Sequence, residues 1–309
     1  MAGKWKGKKV AVLHGGLSTE REVSLKTGAA CAEGLRARGY DVALVDVDHD
    51  VAAKLRAERI DVAFVALHGR WGEDGCIQGL LESLAIPYTG SGVLASAVGM
   101  DKVMSKILFR TLGLKVVDYV VFPRERVPTI TVGDLPFGLP CVVKPSGEGS
   151  SVGVHLVKEA AALPVACKDA ASYQGEVLVE RYVKGKEIQV AVLDGKALGT
   201  IEVVPANEFY DYAAKYTAGT TQYFYPARIP EAHKRRVEEA AVIAHRGLGC
   251  AGVTRTDFIL TDDGIPYILE TNTLPGMTAT SIVPKIAAGN GISFAELCER
   301  LLETAALKA

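Results

Sequence analysis

Long apolar runs are missing from this chain of 309 residues, and so is any strong excess of charge of one sign. No run approaches the roughly 18 residues of a membrane-spanning helix, so we expect no contact with a membrane. The net charge of −1 gives no global electrostatic case for nucleic acid as a partner. The six cysteines never occur in a Cys-x-x-Cys spacing. We therefore expect neither a disulfide framework nor a zinc site, and thiols kept reduced in the cytoplasm.

Two common nucleotide-binding signatures are also missing. The first predicted strand, at 9–13, is followed by Gly15 and Gly16 but not by the Gly-x-Gly-x-x-Gly of a nicotinamide-dependent oxidoreductase. A glycine- and serine-rich stretch at 144–153 lacks the Gly-Lys-Ser/Thr of a P-loop. The chain is long enough for two or three domains, each with a sizeable core.

Strands and helices alternate in the first hundred residues. Apolar strands are predicted at 9–13, 41–47 and 60–67, and Thr19-x-x-Glu22 reads as a capping box that starts a helix ending near Arg38. This order predicts an α/β domain with a mostly parallel sheet. His68 lies just beyond one strand end, where such sheets bind ligands.

Beyond residue 101 the pattern turns to strands, with α+β character in parts. Six strands are predicted between 116 and 204, then a helix at 231–248, a hairpin and two closing helices. We predict three domains, at 1–101, 102–185 and 186–309.

The hairpin is the most informative element. Apolar runs flank Asp263-Gly264, a strong signal for a two-residue turn. Counting outward from that turn puts Asp257 opposite Glu270 and Arg255 opposite Asn272, with all four side chains on one face. Two carboxylates and an amide oxygen suit Mg²⁺ better than Zn²⁺. A solvated polar face on an edge hairpin is the alternative.

Other segments allow two interpretations each from sequence alone. The loop at 144–153 could cradle a phosphate beside Lys144, or be a flexible hairpin loop. Lys102 in the first turn of a helix opposes the helix dipole, yet surface lysines are common. Glu180 and the residues after it could form a nucleotide hinge or a charged turn. The stretch at 210–221 has the composition of a mobile lid or of a surface loop, and Gly276 lies in a turn that could present its N–H to an oxyanion.

Taken together, these segments resemble the ATP-grasp carboxylate–amine ligases, and among them most closely the D-alanine–D-alanine ligases. The motifs that carry the resemblance are Gly15-Gly16 with Ser18-Thr19-Glu20-Arg21-Glu22-Val23-Ser24, Leu67-His68-Gly69-Arg70 with Gly72-Glu73-Asp74-Gly75, Tyr88-Thr89-Gly90-Ser91-Gly92, Met100-Asp101-Lys102, Lys144-Pro145-Ser146 with Gly149-Ser150-Ser151-Val152-Gly153, Tyr210-Asp211-Tyr212 with Lys215-Tyr216, and Glu270-Thr271-Asn272-Thr273-Leu274-Pro275-Gly276-Met277-Thr278. They occur in order over nearly the whole chain. Gly147 stands at a variable loop position, and Ile282 stands where leucine is frequent.

The resemblance implies an ATP-grasp fold with ATP held between the central and C-terminal domains. It implies a role for residues in four groups. The nucleotide would be held by Lys102, Lys144, Ser151, Glu180, Val183, Glu187 and Lys215. Two Mg²⁺ ions, with Mn²⁺ as an alternative, would be held by Asp257, Glu270 and Asn272. Catalytic contacts would come from Glu20, Ser150, Tyr216, Arg255 and Gly276. The two D-alanine substrates would be contacted further by His68, Ser281 and Ile282.

The implied activity is ATP-dependent synthesis of D-alanyl-D-alanine through an acyl phosphate, for peptidoglycan precursors, by a cytoplasmic homodimer. A D-alanine–D-lactate ligase or another ATP-grasp ligase is the alternative enzyme. A non-catalytic nucleotide-binding or sensory module is the alternative from another class.

Overall fold

Residues 3–205, 221–278 and 280–308 are described in the structure, a computed structural model. Within this part of the chain, none of the helices combines the length and apolar character of a membrane span. All six cysteines are free thiols.

The N-terminal sheet is parallel, as predicted, with strand order β2-β1-β3. Its elements are β1 (Lys9–Gly15), α1 (Arg21–Ala37), β2 (Asp41–Val47), α2 (Val51–Ala57) and β3 (Val62–Val65), followed by α3 (Cys76–Ser83) and α4 (Val93–Met100). Helix α2 was not predicted, because its seven residues give too short a pattern to separate from a connection.

The predicted capping box at the start of α1 is wrong. Helix α1 begins at Arg21, and its N-cap residue Glu20 makes no side-chain capping bond. The carboxylate of Glu20 instead accepts a hydrogen bond from the hydroxyl of Ser150, far away in sequence. The helix start therefore gives up its local cap for a contact between two parts of the fold.

The central segment carries an antiparallel sheet of order β4-β7-β5-β6. Its elements are α5 (Lys102–Thr111), β4 (Tyr119–Phe122), β5 (Cys141–Pro145), β6 (His155–Val157), α6 (Leu163–Ala170) and β7 (Val177–Arg181). The glycine- and serine-rich loop joins β5 to β6, two strands as predicted. The strand predicted from residue 116 begins only at Tyr119, since Val116 forms an isolated bridge with Ile268 of another sheet.

The C-terminal segment carries the third sheet, also antiparallel, of order β10-β9-β8-β11-β12. Its elements are β8 (Lys186–Leu193), β9 (Lys196–Pro205), β10 (Thr221–Phe224), α7 (Glu231–Gly247), β11 (Val253–Leu260), β12 (Pro266–Asn272), α8 (Ile282–Gly289) and α9 (Phe294–Glu303).

The hydrophobic cores cross the predicted divisions of the chain. Phe109 of α5 is fully buried among apolar residues of the C-terminal sheet and α7, such as Ile188 and Val237. Helix α1 shares a core with α8 and α9, for example through Leu35 and Leu297. The divisions at 101 and 185 remain predictions, and they separate the sheets more cleanly than they separate the cores.

The hairpin β11–β12 has the predicted outer register but a different turn. Asp257 lies opposite Glu270 and Arg255 opposite Asn272, whereas Leu260 pairs with Pro266, one residue off the predicted count. The turn is a three-residue loop closed by Thr261 and Ile265, in which Gly264 has φ +78°. A bulge in β12, next to the pair Phe258–Ile268, inserts the residue that restores the predicted pairing.

We predict that Gly264→Ala destabilises the protein more than Gly291→Ala. Both glycines have positive φ, +78° and +74°, and alanine there costs about 1–2 kcal/mol. A Cβ at Gly264 would also lie 2.3 Å from Nε2 of His233 on α7, whereas Gly291 has open space. Urea denaturation of both variants measures the difference, and equal losses would contradict the tight contact with His233.

Candidate active site

Two cavities lie side by side where the three sheets meet. One, of about 320 Å³, lies between the N-terminal and C-terminal parts of the chain and is lined by Glu20, His68, Lys102, Ser150, Arg255, Glu270, Asn272, Gly276, Ser281 and Ile282, among others. The second, of about 760 Å³, lies between the central and C-terminal sheets and is lined by Lys102, Lys144, Ser151, Glu180, Val183, Glu187, Asp257 and Glu270, among others. All predicted site residues in the described part of the chain therefore line these cavities. Lys215 and Tyr216 lie outside the described residues, as does the predicted lid up to residue 220.

The glycine- and serine-rich loop contacts the N-terminal segment of the chain at the start of α1. Ser150 and Ser151 both have positive φ, 52° and 59°, a conformation that non-glycine residues adopt rarely. This conformation accompanies the hydrogen bond from the Ser150 hydroxyl to the carboxylate of Glu20. Strained residues of this kind cluster at functional sites. The predicted contact of Glu20 with Ser150 is thus present.

His68 is fixed by its neighbours on the same wall of the smaller cavity. Its Nε2 lies 2.9 Å from Oγ1 of Thr27, and its Nδ1 lies 3.5 Å from a carboxylate oxygen of Glu73. Its carbonyl accepts a hydrogen bond of 2.7 Å from the hydroxyl of Ser18. With 6% of its surface exposed, the ring can present only an edge to the cavity.

Arg255 and Asp257 form a bidentate ion pair on β11. Nε and Nη2 of Arg255 donate to the two oxygens of Asp257 at 2.7 and 2.9 Å. Asp257 is 4% exposed, and a carboxylate so deeply buried requires a cationic partner. On β12, an oxygen of Glu270 lies 3.3 Å from Nζ of Lys102. The two facing carboxylates of the hairpin are therefore each matched by a cation of the chain.

The oxygen atoms on the hairpin face formed by Asp257, Glu270 and Asn272 fit magnesium if a bound ligand supplies the remaining oxygens. Among the described residues, no three His, Cys, Asp or Glu side chains form a metal-binding group. Asp257 and Glu270 offer carboxylate oxygens, and Oδ1 of Asn272 accepts a hydrogen bond of 2.9 Å from the Leu274 N–H with one lone pair left over. Mg²⁺ is commonly bound by one or two carboxylates together with phosphate oxygens. The residues present fit that arrangement.

The N-terminus of α8 also lines the smaller cavity. Ser281 is the N-cap residue, and its hydroxyl accepts a hydrogen bond of 3.1 Å from the Thr278 N–H rather than capping the helix. The first N–H groups of α8, beginning at Ile282, are therefore available to an anion. Gly276 approaches closely, since a Cβ there would lie 2.9 Å from Oγ of Ser281.

A charged group of three residues lies beside the larger cavity, which two of them line. The two carboxylate oxygens of Glu180 on β7 lie 2.7 Å from Nζ of Lys106 and 2.8 Å from Nζ of Lys144. Burial by itself raises the pKa of the Glu180 carboxyl, but the two ammonium groups outweigh burial and lower the pKa from 4.5 to about 2. Glu180 is therefore ionised at neutral pH, and the group carries a net positive charge.

Two family descriptions match this chain. The one described as "D-ala D-ala ligase C-terminus" covers residues 108–303, and "D-ala D-ala ligase N-terminus" covers residues 49–91. The D-alanine–D-alanine ligase of Anaeromyxobacter sp. (strain K) is 75% identical over 305 residues, which is 99% of each chain. The chain belongs to the D-alanine–D-alanine ligase family.

More distant members of the D-alanine–D-alanine ligase family are also similar to this chain over nearly its whole length. The ligase of Geotalea uraniireducens (strain Rf4) is 55% identical over 98% of this chain and 97% of its own. The crystal structure of the D-alanine–D-alanine ligase from Bacillus anthracis complexed with ATP has a TM-score of 0.85 and 34% identity, and covers 96% of this chain and 97% of that chain. The fold is accordingly that of the ATP-grasp ligases in this family.

Lys106 was not among the site residues predicted from the sequence. It is fully buried, yet it contacts Glu180 of the predicted nucleotide site. The available signal was its place on the buried face of α5, one turn after Lys102 and one before Phe109. A lysine in such a position requires an anionic partner. Asp101, whose carboxylate accepts from two N–H groups at the start of α5, was also not predicted as a cap.

We predict that Glu180→Gln lowers the free energy of unfolding by about 3–5 kcal/mol at pH 7, because it leaves two buried ammonium groups without a carboxylate. The pKa of Glu180 is depressed from 4.5 to about 2 in the folded state. The stabilisation is therefore fully present above pH 4.5. It is lost as the pH falls towards 2, because the Glu180 carboxyl binds a proton at a higher pH in the unfolded chain than in the folded protein.

Urea denaturation between pH 7 and pH 2 measures this. The difference between wild type and Glu180→Gln is expected to shrink on acidification. Glu33→Gln, at an exposed position of α1, removes the same charge and serves as the control. A difference that does not change with pH would contradict the ionised, doubly paired state of Glu180.

Proposed function

We propose that the protein uses ATP to join two D-alanine molecules into D-alanyl-D-alanine, a precursor of cell-wall peptidoglycan. One observation carries the proposal. The hairpin face lies between the two cavities, because Glu270 lines both, Asp257 lines the larger one, and Asn272 lines the smaller one together with Glu20, Ser150 and the N-terminus of α8. A phosphate, an ammonium and a carboxylate can thus be held within one cleft.

ATP is proposed to occupy the larger cavity. Its base would lie against the hinge at Val183, with Glu187 near the ribose, and its phosphates would face Lys102, Lys144 and Ser151. The complex of the Bacillus anthracis relative with ATP supports this substrate. In the resemblance, Lys215 reaches the γ-phosphate from the lid.

In the first step, a carboxylate oxygen of the first D-alanine attacks the γ-phosphorus of ATP. The bond from that phosphorus to the β-γ bridging oxygen breaks, giving an acyl phosphate and ADP. Glu20, held by Ser150, would bind the ammonium of this D-alanine, with His68 beside it and Tyr216 as a third member of the hydrogen-bonded group. Lysines facing the phosphates would balance the negative charge, the usual requirement in phosphoryl transfer.

In the second step, the deprotonated amine of the second D-alanine attacks the acyl carbon, and phosphate leaves. Its carboxylate would be received by the hydroxyl of Ser281 and the N–H of Ile282, at the positive end of α8. Arg255 and the N–H of Gly276 would stabilise the tetrahedral oxyanion. Arg255 can serve this role because it lines the smaller cavity, where the acyl carbon would lie.

Asp257, Glu270 and Asn272 are proposed to hold two Mg²⁺ ions, which Mn²⁺ can replace. Bound there, the metal would supply positive charge to the phosphate oxygens of ATP. We further infer from the family that the protein is a homodimer. We also infer that it works in the cytoplasm, where D-alanine and ATP are available. The names of the relatives do not favour the alternative, a D-alanine–D-lactate ligase.

The proposed function predicts ADP release that depends on added D-alanine. We expect D-alanyl-D-alanine as the product at neutral pH, with little D-alanyl-D-lactate when both acceptors are present. A coupled assay for ADP and mass spectrometry of the products measure both. A rate of ATP hydrolysis that does not depend on D-alanine would contradict the proposal. Nucleotide binding without turnover would indicate a sensory module instead.

The proposed metal face predicts a selective loss in Asp257→Asn. Removing this carboxylate is expected to lower kcat by about 10²-fold or more, the scale of losing one group that stabilises charge in the transition state, and to weaken binding of Mn²⁺ with nucleotide in electron paramagnetic resonance. Asp263→Asn changes the same charge at an exposed position of the hairpin turn and should match wild type. Near-normal turnover of Asp257→Asn would overturn the assignment of the metal face.

A further inference from the structure

Lys106 is a fully buried lysine that lies outside both cavities. None of its surface is exposed, whereas Lys102 and Lys144 are 8% and 7% exposed and line the larger cavity. It therefore cannot contact a bound substrate. Its ammonium faces Glu180 at 2.7 Å, and the ring centre of Tyr119 lies 6.0 Å away.

Burying this charge is expensive. Desolvation, together with the nearby charges of Lys144 and Lys102, lowers the pKa of Lys106 to about 8 despite the neighbouring carboxylate of Glu180. Replacing a whole buried ion pair by apolar residues is often neutral or stabilising, whereas removing only one partner is destabilising. Fold stability alone therefore gives no reason to place this charged group here, and the effect of Lys106 on Glu180 is the remaining reason.

Glu180 links Lys106 to the cavity. One carboxylate oxygen faces Lys106 and the other faces Lys144 at 2.8 Å, so each oxygen has a cationic partner of its own. An ammonium group has three N–H donors, and Lys144 needs only one of them for Glu180. The remaining donors can then point into the cavity that Lys144 lines.

The backbone of α5 is well placed to hold this arrangement. Lys102 and Lys106 are four residues apart, so they lie on one helix face. The N–H of Lys102 donates to the carbonyl of Ser146 at 3.0 Å, which fixes the helix start to the end of β5. Phe109 anchors the next turn in the core of the C-terminal sheet.

We propose that Lys106 is a positioning residue of the nucleotide site, which acts through Glu180 to direct the ammonium of Lys144 towards ATP. The inference rests on the proposed function, since it assumes that the larger cavity binds ATP. Without Lys106, the Glu180 carboxylate can rotate and take more of the donors of Lys144. The group of Glu180 and the two lysines would also lose its net positive charge, and it is that positive charge that favours an anionic ligand.

Lys106→Met tests this role, because methionine is unbranched and similar in length but carries no charge. We expect the Kd for ATP, measured by titration calorimetry on the full-length protein, to rise about tenfold, the loss of one charge-assisted contact. In steady-state kinetics the KM for ATP should rise, while the KM for D-alanine and kcat stay close to wild type. Thermal stability should fall, since the buried Glu180 keeps only one of its two cationic partners.

Phe109→Leu is the matched control. It lies three residues further along the same helix, is equally buried, and belongs to the core of the C-terminal sheet. It should lower the melting temperature and leave the Kd for ATP unchanged. If Lys106→Met fails to fold, Lys106→Leu gives the same comparison, since leucine also carries neither a charge nor a hydrogen-bond donor.

Three results would overturn the inference. An unchanged Kd for ATP in the Lys106 variant would show that Lys106 does not act on the site. Equal losses of affinity in the Lys106 variant and Phe109→Leu would make the role merely structural. A wild-type protein that binds no ATP would overturn the proposed function and this inference with it.

Discussion

The cleft depends on two lysines that one turn of α5 delivers to its two walls. Lys102 faces Glu270 on β12, at 3.3 Å, and Lys106 faces Glu180 on β7, at 2.7 Å. The two strands belong to different sheets, and both carboxylates are at least partly buried. Neither sheet could place a carboxylate there without a cation. The helix therefore fixes the distance between the walls and supplies the positive charge that an anionic substrate requires.

The site gives up local stability for this arrangement at several points. Glu20 stands at the N-cap of α1 without capping it, and contacts Ser150 instead. Ser150 and Ser151 adopt positive φ, and the hydroxyl of Ser281 leaves the first N–H groups of α8 without a cap. Each departure leaves a donor, an acceptor or a charge facing the cleft. Residues that break local rules at a site mark its function more sharply than those that obey them.

Much of the fold could be predicted because its strands are apolar and separated by clear turn signals. The hairpin face was predicted from the pairing of Asp257 with Glu270, although the assumed turn was wrong. The three-residue loop and the bulge near Ile268 cancel, so the two irregularities leave the outer register unchanged. Counting residues cannot detect such compensation, because a bulge depends on packing between sheets.

The buried charges could not be predicted in the same way. Lys106 lies on the apolar face of α5, and only the position of Glu180 in three dimensions explains it. The bidentate pair of Arg255 with Asp257 was likewise hidden, since residues two apart on a strand do not normally interact directly. Long-range pairing of this kind is set by tertiary structure, and a single sequence gives no direct signal for it.

The central claim is that the carboxylate of one D-alanine takes the γ-phosphoryl group of ATP before the peptide bond forms. The most direct measurement uses D-alanine labelled with ¹⁸O in both carboxylate oxygens, and follows the phosphate released by mass spectrometry. Since the acyl phosphate breaks at the acyl carbon, the account predicts that each phosphate carries one ¹⁸O. Product formation with unlabelled phosphate would contradict it.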